Sequence, residues 1–64
     1  MKISKSVARE LTSEIRNLTV SLSAAKDNIR NEETKKAIYW MRQFNASADT
    51  LLRDYGIEVT KYDL

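Results

Sequence analysis

The sequence contains no cysteine and no histidine. The first absence excludes disulfides and thiolate metal sites. The second removes the commonest transition-metal ligand and the commonest general base. No Gly-rich phosphate loop, HExxH helix or nucleophile–base pair can be read anywhere in the chain. Glu32 and Glu33 are adjacent, but neighbours on a helix point about 100° apart and do not make a carboxylate pair. An enzyme is therefore not expected, and neither is a metal or an organic cofactor. No apolar run approaches the roughly 20 residues that span a bilayer. The opening MKISKSVARE has lysines but no apolar stretch behind them, so a secretory signal is not expected and a cytoplasmic location is the default. Charge excess is also small, +2 in total, and does not choose a partner by itself.

Proline is absent too, and glycine occurs once, at Gly56. Together with abundant Ala, Leu, Lys, Arg and Glu, this predicts an all-α chain. At 64 residues it forms a single domain. A chain of that size buries only about 60% of its unfolded surface, so it needs a staple. With disulfides and thiolate metal sites excluded, self-association is the staple that remains.

Over residues 4–29 the apolar positions alternate in threes and fours. Ala8, Ile15, Leu22 and Ile29 form one column, and Leu11, Leu18 and Ala25 form the other. This predicts a helix near 4–30, capped by Ser4 or Ser6. A short rival pattern, the alternation over Leu18–Ser23, reads as a strand, but the heptad runs unbroken through it. Asn31 is a good N-cap for a second helix near 32–55, with Glu32 and Glu33 in its first turn, where the dipole favours anions. The second seam is Ile38, Met41, Asn45, Ala48, Leu52 and Tyr55, widened by Ala37, Phe44 and Leu51. So wide a stripe suits a multi-helix bundle. Gly56 is placed to end the helix in a left-handed conformation, with Ile57 returning to its last turn. The remainder, IEVTKYDL (57–64), reads as a short arm, extended or disordered. The expected architecture is an antiparallel helical hairpin that dimerises into a four-helix bundle.

A hairpin with these heptads resembles the Rop family, plasmid proteins that bind paired RNA hairpins. A gapless overlay sets Ile38, Met41, Asn45, Ala48 and Leu52 on that family's core positions, together with Ala8, Ile15, Leu22 and Ile29. The other column of helix one is shifted by one residue. The positions that would carry RNA contacts hold Ile3, Glu10, Glu14, Leu18 and Ala25, and none keeps the residue type expected there. The resemblance thus implies the bundle and not the RNA contacts.

Function therefore has to be sought in binding surfaces. Residues 2–30 carry six basic and three acidic side chains, whereas residues 31–64 carry five and six. Along helix one, positions 5, 9, 12, 16, 19, 23, 26 and 30 read Lys, Arg, Thr, Arg, Thr, Ser, Lys, Arg, with no acid among them. Cations and hydroxyls at helical spacing are the groups that contact phosphate oxygens. Lys5, Arg9, Arg16, Lys26 and Arg30 are accordingly the candidate nucleic-acid contacts of a small regulatory protein. The bland alternative is a solvated face whose stems cover the seam edge. Tyr39 and Trp40 lie off the seam, on two flanks, and are candidate anchors for a protein partner. They would serve an adaptor or inhibitor of the kind that phages and plasmids encode, with the C-terminal arm as a further contact. Asn45, polar within a core column, is a candidate for fixing oligomer register.

Overall fold

The computed structural model describes residues 4–64. Lys2 and Ile3 of the sequence reading lie outside them. Two helices, α1 (Lys5–Arg30) and α2 (Thr34–Tyr55), pack against each other as a hairpin, with no strand among the described residues. α1 runs continuously through Leu18–Ser23, where the strand pattern competed. Ser4 caps it, its hydroxyl accepting from the Val7 N–H at 3.2 Å. Threonines are weak helix formers because their hydroxyls compete for the backbone. Here Thr12, Thr19 and Thr50 turn those hydroxyls back onto the carbonyls of Ala8, Ile15 and Ala46.

The turn differs from expectation. α2 begins at Thr34 rather than 32, and Asn31 closes α1 rather than opening α2. The cause is the way α1 ends. Glu33 N–H returns to Asn28 O at 2.7 Å and Glu32 N–H to Ile29 O at 3.1 Å, the paired bonds of a Schellman cap. That cap needs a left-handed residue, and Glu32 supplies it at φ 59°. Glu33 becomes the N-cap of α2 without a side-chain capping bond, so the first turn of α2 holds no acid. Its carboxylate instead binds the Lys36 ammonium at 2.7 Å, and the hydrogen bond and then the charge hold that lysine above its ordinary range. A left-handed conformation costs an L-residue roughly 1–2 kcal/mol. Glu32→Gly is therefore expected to stabilise the fold by about 0.5–1 kcal/mol, read as a raised midpoint in denaturant unfolding. A lowered midpoint would mean that the turn is not strained. Gly56 meets the same demand without strain, at φ 67°, and Ile57 N–H closes onto Leu51 O at 3.1 Å.

Small side chains hold the two helices together. The buried apolar residues are Ala25, Ala37, Ala48 and Leu51, with Ser21 buried beside them. Leu18, Met41, Phe44 and Tyr55 are half-buried around this strip. Alanine at the contact lets helices approach closely but buries little area per residue. On one side of the hairpin, Asn17, Val20 and Ser21 face Trp40, Gln43 and Ser47 across a groove. Further along the same groove, Glu10, Ser13 and Glu14 meet Thr50, Asp54 and Tyr55. The Tyr55 hydroxyl donates to the Glu10 carboxylate at 3.3 Å. Partial burial, then the Glu10 charge, hold its phenol above the usual range.

The heptad column Ala8, Ile15, Leu22, Ile29 is not in the contact between the helices. Ile15 is 50% exposed, Leu22 37% and Ile29 61%. Packing centres instead on Ser21 and Ala25, one step round the helix, which leaves the larger apolar side chains on the broad face opposite the groove. Leu52 of α2, 53% exposed, joins them there.

Candidate nucleic-acid interface

At about 100° per residue, positions 5, 9, 16, 26 and 30 fall on the side of α1 opposite Ser21 and Ala25. The hairpin therefore points Lys5, Arg9, Arg16, Lys26 and Arg30 away from α2, and all five are exposed. From Lys5 to Arg30 the line runs about 38 Å at 1.5 Å per residue. Toward the N-terminal half, Lys5, Arg9, Thr12, Ser13 and Arg16 frame a shallow concavity.

Acids elsewhere take up other cations. Among the described residues the ion pairs are Lys36–Glu33, Arg53–Asp54 and Lys61–Asp49. Among the described residues, the cations outside these pairs and off the α1 line are Lys35 and Arg42. Two of the three acids of α1, Glu10 and Glu14, turn into the groove toward α2. They sit on the far side of the helix from the cations, whereas the third, Asp27, is exposed on the cationic face, four residues after Ser23 and three before Arg30. Charge is therefore separated around the N-terminal half of α1, from Lys5 to Arg16, and mixed near its C-terminal end.

The hydroxyls on the line are less available than the spacing implied. Thr12 and Thr19 already donate to backbone carbonyls at 2.7 and 3.1 Å. Phosphate oxygens accept hydrogen bonds and need a donor, so these threonines offer them none in this conformation. The five cations and the Ser23 hydroxyl remain as the donors along the line.

Tyr39 and Trp40 do not stay on separate flanks. Their rings meet edge to face with centroids 5.2 Å apart. Trp40 is half-buried at the end of the groove beside Val20, whereas Tyr39 is exposed. Trp40 is thus tied to the hairpin contact. Tyr39 presents most of its ring.

Asn45 has an unforeseen partner. Its Nδ2 donates to Tyr62 O at 3.0 Å, and its Oδ1 accepts from Tyr62 N–H at 2.7 Å. One side-chain amide thus satisfies both polar groups of one residue's backbone, as a neighbouring strand would. The Tyr62 ring rests edge-on against Phe44 at 5.1 Å, and Lys61 reaches Asp49 at 2.8 Å. The C-terminal residues are thereby clasped along α2. Sequence spacing could not reveal this, because the partners are 17 residues apart and Asn45 carries no mark of which backbone it binds. Two hydrogen bonds at about 1 kcal/mol each are modest against the cost of ordering eight residues. Asn45→Ala should therefore release the segment. Hydrogen exchange at the Tyr62 amide would rise to that of an unprotected peptide, with α2 amides unchanged. Retained protection would show that Phe44 packing suffices.

No helix among the described residues is long and apolar enough to cross a membrane. No family model matches the chain, and neither curated proteins nor solved structures provide a significant match.

Proposed function

We propose that the chain is a small non-enzymatic regulatory protein that contacts nucleic-acid phosphates through the outer face of α1, and that it works as a homodimer, hairpin on hairpin. The observation that carries the reading is the exposed line Lys5, Arg9, Arg16, Lys26, Arg30, none of it in an ion pair among the described residues, with Glu10 and Glu14 turned to the other side. Each phosphate neutralised on a duplex releases counterions, giving a slope of about −0.9 per contact in log affinity against log salt. Five contacts per chain correspond to a slope of about −4 to −5, and a dimer using both lines to about twice that. Such binding positions a protein without reading sequence, because phosphates carry no base information. Filter binding or fluorescence anisotropy with a labelled duplex tests it.

A second reading rests on the exposed Tyr39 beside Trp40. There the protein is an adaptor or inhibitor that anchors a protein partner, as exposed Tyr and Trp commonly do. Tyr39→Ala separates the two readings. It leaves salt-dependent nucleic-acid binding intact under the first and removes partner capture under the second.

A further inference from the structure

We infer that the broad face bearing Ile15, Leu22, Ile29 and Leu52 is the surface covered by a second copy of this chain, with the clasped C-terminal segment along its α2 edge. The inference rests on the homodimer just proposed and names the face it uses.

Surface area carries the argument. The chain exposes 5206 Å². A folded monomer of 7.4 kDa is expected to expose about 4200 Å². The excess of about 1000 Å² is close to the ~800 Å² that each partner buries in a standard interface. The shape offers the room, since its two longer extents are 44 and 19 Å. The composition of the face fits a copy of itself. Ala8, Ile15, Leu22 and Ile29 recur at seven-residue spacing and include no charge. That is the repeat that packs one helix against another of the same kind. The opposite side is different: its groove is lined by Asn17, Gln43 and serines, then by Glu10, Glu14 and Asp54. A self-paired surface there would set like charges together.

Asn45 takes a role at the edge of this face. Its amide is spent on Tyr62, so it holds the clasped segment alongside the apolar strip. Lys5, Arg9 and Arg16 lie about a quarter-turn or more round the helix from the strip and stay open when it is covered, whereas Lys26, four residues after Leu22 and three before Ile29, stands at its edge.

Sedimentation equilibrium without nucleic acid tests the inference. The full chain is expected at twice its monomer mass. Ile15→Asp, and separately Leu52→Asp, should shift it to the monomer. Val20→Asp replaces an equally exposed apolar residue, 51% open, on the groove side and should leave the dimer intact. Circular dichroism at the same concentrations checks that helix content survives. A full chain that stays monomeric overturns the inference, whatever else covers the face. So does a dimer that tolerates both Ile15→Asp and Leu52→Asp, or one that Val20→Asp dissociates as readily. A dimer that binds no nucleic acid would sink the phosphate reading and leave this face standing.

Discussion

Arg9→Glu combined with Arg16→Glu is expected to abolish nucleic-acid binding at moderate salt, lowering affinity on the order of 100-fold or more. The two changes turn a line of five positive charges into three positive and two negative, a net of +1. They also break the N-terminal concavity, where Lys5, Arg9 and Arg16 stand together. Both side chains are exposed and outside any ion pair among the described residues, so stability should move by no more than about 0.5 kcal/mol. Arg42→Glu is the matched control, an exposed cation on α2 and off the line. It should weaken binding only slightly, through net charge. Equal loss from Arg42→Glu would mean that binding follows total charge rather than this face.

Leu51→Ala is expected to unfold the chain or nearly so. Leu51 is 1% exposed, and the other buried apolar residues are alanines. Truncating a buried leucine costs about 2–5 kcal/mol. At about 0.05–0.15 kcal/mol per residue, a chain of 64 residues has roughly 3–10 kcal/mol in total. One substitution therefore removes a large share of the stability. Thermal unfolding followed by circular dichroism reads this directly. A drop of less than about 1 kcal/mol would show that helix contact at Leu51 is not what holds the hairpin.

Much of the architecture was legible because helix signals are local. The heptads, Ser4 and Gly56 place both helices and three of their four ends correctly. The start of α2 was not legible, because Asn31 suits an N-cap as well as it suits the C-cap of α1. Only the backbone of Glu32, left-handed despite its side chain, decides between them. Periodicity also cannot say which column faces which neighbour. A hairpin needs one face and a bundle needs two, so Ala8, Ile15, Leu22 and Ile29 read as core although the hairpin leaves them open. For the candidate site, the cationic line was visible in the spacing. The inward turn of Glu10 and Glu14 was not, since it depends on where α2 lies. Nor was the use of Thr12 and Thr19 on their own helix, or the meeting of Asn45 with Tyr62.

We propose that the outer face of α1 binds phosphates by charge. The most direct test is the affinity of the unmodified protein for a short duplex measured across a salt series. A straight line in log affinity against log salt is expected, with a slope of about −4 to −5 per chain engaged, falling by roughly two when Arg9 and Arg16 are both replaced by Ala. Binding whose strength does not change with salt, or a slope unaltered by those replacements, would contradict it.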